Sequence, residues 1–199
     1  MKTSEANGGS SNPANPNVSR LFVAITLPDA LKARLSGLHA DFPDLKWTTL
    51  ETMHLTLRFI GQTTSEQVEA VRRTLRSVKG DEFTLIAVGL GIFQRRDTGV
   101  LWVGIKEEPA LFALKRMVDD ALRDDAGLNL KDEPYSPHLT LSRLKKTPSR
   151  ELKDAVKARI AERFGEIPVA SFTLFRSLLR PTGAIHEAVE TYPLEERRQ

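Results

Sequence analysis

The 199-residue chain has no cysteine. That excludes a disulfide framework, a thiolate nucleophile, an iron–sulfur cluster and every cysteine-based zinc site, and it leaves stability to packing. Aromatic residues are scarce at 7%, with two tryptophans and two tyrosines. No run approaches the roughly 18 uninterrupted apolar residues of a membrane span, and the first residues lack the apolar core of a signal peptide. The expected location is the cytoplasm, with no membrane partner. One-signed charge is missing too, since 29 Lys+Arg oppose 26 Asp+Glu for a net +3. This is far from the basic surface that binds duplex nucleic acid non-specifically, so any nucleic-acid contact is expected to be local. What is present is 40% hydrophobic residues, a length suited to one generous domain, and four histidines.

Residues 1–17 are dominated by Gly, Ser, Asn and Pro. They hold too little apolar surface to offset ordering entropy and read as a disordered tail. Residues 18–199 read as a single domain. Val18 to Leu27 is a short apolar strand ended by Pro28 and Asp29; Asp29 to Ala40 carries leucines at helical spacing; Lys46 to Ile60 reads as a strand. Ser65 to Val78 is an amphipathic helix with Ser65 as its cap, and Glu82 to Phe93 with Gly99 to Lys106 forms a hairpin. The order then recurs: helix Pro109 to Asp125, strand Pro137 to Leu144, helix Ser149 to Phe164, and a hairpin from Ile167 to Leu179 and Gly183 to Tyr192.

Three local matches support a duplication. His54-Leu55-Thr56-Leu57 recurs as His138-Leu139-Thr140-Leu141, an offset of 138 − 54 = 84; Phe83-Thr84-Leu85 recurs as Phe172-Thr173-Leu174; and Gly99 matches Gly183. The expected architecture is α+β and bilobal. Duplicated halves, about 18–106 and 107–199, would form two antiparallel sheets around a central groove with helices outside.

In a strand, residues two apart share a face. His54 and Thr56 therefore look one way and Leu55 and Leu57 the other, and the second motif repeats this. Leucines would anchor each strand while an imidazole and a hydroxyl face a shared groove. Two histidines in one groove suit acid–base chemistry near neutral pH, and threonine hydroxyls beside them suit phosphate oxygens. For one His-x-Thr copy an ordinary half-buried histidine is the better reading; duplication reverses that. Two histidines without a carboxylate or cysteine ligand fall short of a catalytic zinc site, and no Gly-x-Ser-x-Gly elbow exists. Arg58, two residues after Thr56, is expected on the groove face as a phosphate ligand. Strict alternation points Arg143 away from His138 unless a strand end or bulge intervenes. Phe22 and Trp47 are candidates for base stacking. His39 reads as a surface residue, and His186 as a possible border of the groove.

The segments Arg20-Leu21-Phe22-Val23-Ala24-Ile25-Thr26-Leu27-Pro28, His54-Leu55-Thr56-Leu57-Arg58-Phe59-Ile60-Gly61 and Tyr135-Ser136-Pro137-His138-Leu139-Thr140-Leu141-Ser142-Arg143 together resemble the 2H phosphoesterase superfamily. Within it, the likeness is to the RNA 2′,3′-cyclic phosphodiesterases, also called 2′-5′ RNA ligases. The resemblance implies hydrolysis of 2′,3′-cyclic phosphates on RNA ends or nucleotides to 2′-phosphates, with possible reversible 2′-5′ ligation and without metal or other cofactor. A monomer with no obligate protein partner is expected. The resemblance also implies His54 as general acid, His138 as general base, Thr56 and Thr140 on the phosphate, and Arg143 neutralising phosphate charge. Near His186 the family tends to carry an aromatic residue, and this chain departs from it. Competing readings are an enzyme for 2′-5′ linkages or small cyclic nucleotides, and a non-catalytic module that binds RNA ends.

Overall fold

The structure, a computed structural model, describes residues 18–124, 126–180 and 183–196; the expected tail, 1–17, lies outside the described residues. Strand β1 (Val18–Thr26) leads into helix α1 (Asp29–Ser36), which tightens into a 3₁₀ turn over Gly37–Ala40. Strand β2 (His54–Thr64) is followed by helix α2 (Ser65–Leu75). A hairpin of β3 (Phe83–Arg95) and β4 (Thr98–Ile105) precedes helix α3 (Pro109–Asp124). Then come β5 (His138–Leu144), α4 (Arg150–Lys157), β6 (Arg163–Val169), β7 (Ser171–Arg180) and β8 (Gly183–Pro193).

Most boundaries follow from local chemistry. Helix α2 is capped by Thr64 rather than Ser65: the Thr64 hydroxyl accepts from the Gln67 backbone N–H while the Gln67 side chain accepts from the Thr64 N–H. Ser149 caps α4 by accepting from the Leu152 N–H. Three further boundaries differ from expectation, one being the strand expected over Ile167 to Leu179, which is split between β6, ending at Val169, and β7, beginning at Ser171. Strand β2 starts at His54, because Leu50–Thr52 form a 3₁₀ turn. The expected helix to Phe164 stops at Lys157, and residues from Arg163 form the separate strand β6, paired only to β3. Its position at the sheet edge tolerates Pro168, whose missing N–H is not needed there.

The strands form one antiparallel ladder in the order β6-β3-β4-β5-β2-β1-β7-β8. The expected two sheets are its two four-stranded halves, joined at the centre by the pairing of Leu55 on β2 with Leu139 on β5. The halves are interleaved in sequence. One takes β3 and β4 from the first part of the chain and β5 and β6 from the second; the other joins β1 and β2 to β7 and β8. Lobes built from 18–106 and 107–199 separately are therefore corrected, because each hairpin leaves its own half to close the sheet of the other. Of the three sequence matches, only the His-Leu-Thr-Leu pair falls on corresponding strands in corresponding register. The Phe-Thr-Leu copies lie on corresponding strands, β3 and β7, but out of register: Thr84 pairs only outward, with Pro168 on β6, whereas Thr173 pairs outward with Thr191 on β8 and inward with Ala24 on β1. Gly99 lies beside β5, and Gly183 lies on the edge strand β8.

Leu55, Leu57, Leu139 and Leu141 are all buried. They join one core with Leu31 and Leu35 of α1, Val71 and Leu75 of α2, and Leu111, Leu114, Val118 and Leu122 of α3. Each such side chain contributes roughly 1.5–3 kcal/mol from apolar burial. Beneath β2 this apolar layer is interrupted. Arg58 turns inward, its Nε–H donating to Asp119 Oδ1 on α3 at 2.6 Å and an Nη1–H to the Lys131 carbonyl at 3.0 Å. Its other Nη group and Lys115 both donate to Asp119 Oδ2. Burial alone would raise the Asp119 pKa, but the hydrogen bonds from Arg58 and Lys115 outweigh it and hold the carboxyl below its ordinary range. A buried ion group of this kind is costly to break on one side only, since the remaining charges lose their partner. Asp119→Ala should lower the unfolding free energy by about 3 kcal/mol in chemical denaturation. The triple variant Arg58→Met, Lys115→Met, Asp119→Leu should recover most of that loss. A single variant as stable as the parent would show that the group carries no net weight.

Candidate active site

Both motif strands share a backbone irregularity that decides which residues reach the cleft. Along β2, Val23 pairs with Arg58 and Ala24 with Thr56, so Leu57 is left over. Along β5, Leu101 pairs with Ser142 and Trp102 with Thr140, so Leu141 is left over. These are β-bulges at corresponding positions, 141 − 57 = 84 apart, and each reverses the in–out alternation of the residues that follow. The result is the same burial sequence in both strands: histidine half-buried, leucine buried, threonine half-buried, leucine buried, next residue buried, next exposed.

This parity change corrects one assignment and explains another. Arg58 is not in the groove; it is 8% exposed and locked to Asp119. Its counterpart Ser142 is also buried, with its hydroxyl donating to the Lys46 carbonyl at 2.9 Å. The residues after them, Phe59 and Arg143, are exposed and lie on the same face as the histidines. Arg143 reaches the cleft by way of the bulge.

One step either side of the Leu55–Leu139 pair, the antiparallel register sets His54 against Thr140 and Thr56 against His138. Thus each imidazole lies across from the hydroxyl of the other motif. The two rings are oriented alike. His54 Nδ1–H donates to the Thr52 carbonyl at 2.7 Å, and His138 Nδ1–H donates to the Ser136 carbonyl at 2.7 Å. A carbonyl only accepts, so this bond fixes the tautomer and leaves Nε2 of both rings for proton transfer. Tyr135 adds a link between the motifs, its hydroxyl donating to the Thr56 carbonyl at 3.0 Å.

The walls differ. Around His54, the Phe22 ring lies 4.8 Å away between centroids, Phe175 lies 6.4 Å away, and His186 stands edge-on at 5.3 Å. Around His138, Phe93 stands edge-on at 5.0 Å and packs in turn on Trp102 at 4.9 Å. Trp102 lies against Gly91 and Gly104, and any side chain at Gly91 would collide with the indole. Phe22 is 2% exposed and has no free face for a base; it is the wall behind His54, which corrects its assignment as a stacking residue. Trp47 is corrected as well. Its indole N–H donates to the Phe42 carbonyl at 3.1 Å, its ring packs on His39 at 4.3 Å, and it sits against the core. Phe93 and Phe175 escaped sequence reading because each reaches its histidine through strand pairing, Phe93 two strands from His138 and Phe175 two strands from His54.

Burial pushes the His54 pKa down to about 4, reinforced by the positive charges of His186, Arg143 and His138 and opposed by the bond to Thr52. Burial also lowers His186. Among the described residues, no three His, Cys, Asp or Glu side chains gather as a metal-binding group, and no helix is long and apolar enough to cross a membrane.

A curled α+β sheet whose two central strands present His-x-Thr pairs to one cleft defines the class of two-histidine phosphoesterases. Comparison with known proteins agrees: the LigT-like phosphoesterase family model matches twice in tandem, over residues 25–102 and 103–186. The chain belongs to the LigT-like phosphoesterase family. It is 29% identical over 177 residues to the RNA 2′,3′-cyclic phosphodiesterase of Archaeoglobus fulgidus, covering 87% of this chain and 99% of that one. It is 27% identical to the enzyme of that name from Methanocaldococcus jannaschii, with the same coverage. Among solved structures, Escherichia coli LigT with bound 3′-AMP superposes with a TM-score of 0.75 at 24% identity, covering 89% of this chain and 98% of that one. That likeness is one of fold.

The depressed His54 pKa has a consequence for stability. The unfolded chain, with an ordinary histidine pKa near 6.5, takes up a proton before the folded one does. The stabilisation from keeping this ring neutral is complete above about pH 6.5 and is lost as pH falls toward about 4. Thermal unfolding should show the wild type losing stability across that window more steeply than His54→Gln. Parallel slopes would place the His54 pKa near its ordinary value.

Proposed function

We propose that the protein hydrolyses 2′,3′-cyclic phosphates on RNA ends or nucleotides to 2′-phosphates by acid–base catalysis from its two motif histidines. The observation that carries this reading is the pair of imidazoles held by matching Nδ1–carbonyl bonds, each set across from the other motif's threonine about the Leu55–Leu139 pair. A cyclic phosphodiester needs a base on one side of phosphorus and an acid on the other, and its leaving oxygen is already in place. His138 Nε2 takes a proton from water as the water oxygen attacks phosphorus. The bond from phosphorus to the 3′-oxygen breaks, and His54 Nε2–H protonates that oxygen. The 2′-oxygen stays bonded to phosphorus, Thr56 and Thr140 donate to its free oxygens, and Arg143 balances the charge. With the 5′-hydroxyl of a second RNA in place of water, the same displacement forms a 2′-5′ linkage. RNA ends and nucleotides carrying the cyclic phosphate are the partners in this reading, and the relatives' names support it.

His54 as acid requires a protonated ring, and its depressed pKa keeps it neutral in the free cleft. The phosphate supplies what is missing, because an anion beside an imidazole raises its pKa by about 1–3 units. Followed by NMR, the His54 ring should titrate upward by at least about one unit when a nucleoside 2′-phosphate saturates the cleft. A pKa unmoved by the phosphate would give the acid role to the other ring.

In turnover, His54→Ala and His138→Ala should each reduce kcat by about a hundredfold to ten-thousandfold, with activity intact in EDTA and a 2′-phosphate as product. Full activity in the double variant would remove the mechanism. A 3′-phosphate product would reverse the leaving group, and loss of activity in EDTA would bring in a metal.

A further inference from the structure

The catalytic centre is close to twofold symmetric, but its shoulders are not. On β5 the bulge delivers Arg143 to the cleft face; on β2 the corresponding bulge delivers Phe59. Across the sheet the rows continue in parallel: Arg143 pairs with Val100 and then Phe93, while Phe59 pairs with Phe22 and then Phe175. The same backbone device therefore offers a cation on one side and a bare aromatic ring on the other.

Phe59 is 66% exposed. The other rings of this face are more engaged with neighbours, Phe93 included, which is 41% exposed. Phe22 and Phe175 are stacked on one another at 5.2 Å beside His54, and Phe93 packs on Trp102 and His138. Phe112, also exposed, belongs to α3 and packs on Tyr135. The nearest ring to Phe59 is Phe22 at 6.0 Å, tilted by 44°, which leaves an open face toward solvent. A phenylalanine turned out of the core by a bulge gains nothing from its own burial and gains a great deal from a flat apolar partner.

We infer that Phe59 is the platform on which the nucleobase of the bound ribose stacks, and that it sets the direction in which a substrate enters the cleft. Phe59 lies three residues beyond Thr56, at most about 10 Å along an extended chain, within the span of a ribose and its base from a phosphate held at the threonines. The base then rests over the His54 half, where the aromatic wall lies, and the free phosphate oxygens turn toward Arg143. Stacking on an exposed ring tolerates any base, so this platform selects for the presence of a base and not for its identity. The inference rests on the cyclic-phosphate reading of the site, and it is tested by binding as well as turnover so that the two can fail separately.

The test compares adenosine 2′-phosphate with ribose 2-phosphate by calorimetry, and adenosine 2′,3′-cyclic phosphate with the base-free ribose cyclic phosphate in turnover. Phe59→Ala should weaken the adenosine ligand about tenfold and raise its KM to match, with kcat nearly unchanged. The base-free compounds should be unaffected, and Phe59→Trp should restore the preference. A Phe59→Ala variant that treats base-bearing and base-free ligands as the wild type does would overturn the inference, as would one that weakens both equally. If the wild type turns nothing over while Phe59→Ala still loses the adenosine preference in binding, the platform stands and the catalytic reading falls.

Discussion

The meeting of β2 and β5 is the constraint on which the site depends. A single residue pair, Leu55 with Leu139, joins two four-stranded halves. Both leucines are buried against the helices, so hydrophobic burial on one face holds the strands in the register that brings histidine and threonine together on the other. A slip of one residue there would turn both imidazoles into the core and both leucines into the cleft. The geometry of the histidine–threonine face is thus enforced by apolar packing on the opposite side of the sheet.

The paired bulges add a second level of control. An unbroken strand would place Arg58 and Ser142 on the cleft face. One extra residue in each strand sends them inward and sends Phe59 and Arg143 outward. The inward positions are then satisfied in different ways. Ser142 needs one carbonyl, that of Lys46, while Arg58 needs the carboxylate of Asp119 on a crossing helix together with the Lys131 carbonyl. The bulge carbonyl of Leu141 is taken by the Thr48 N–H at 2.7 Å. Such partners stabilise a conformation that would otherwise leave buried polar groups unpaired.

Interleaving of the halves couples these parts. Because β3 and β4 cross to pair with β5, the wall beside His138 is made of Phe93 and Trp102 from the first part of the chain. The wall beside His54 takes Phe175 and His186 from the second. Tyr135, three residues before His138, ties the second motif to the backbone of the first. Neither motif has a complete surrounding without the other half, so the two rings are held relative to each other by the whole sheet.

The repeated His-Leu-Thr-Leu tetrapeptide, read at a strand's period of two, was enough to put both histidines and both threonines on one face and the leucines in the core, since that alternation is a local property of the chain. The α+β class and most elements were legible for the same reason: leucine spacing, caps and turn residues act within a few positions. The placement of Arg58, Phe59 and Arg143 was decided only in three dimensions, because a bulge is set by what the neighbouring strand and helix can pair with and leaves no mark in the alternation itself. The roles of Phe22 and Trp47, and the crossing of the hairpins between halves, depend likewise on contacts between residues far apart in sequence. Local periodicity determined which residues share the cleft face, and long-range pairing determined what surrounds them.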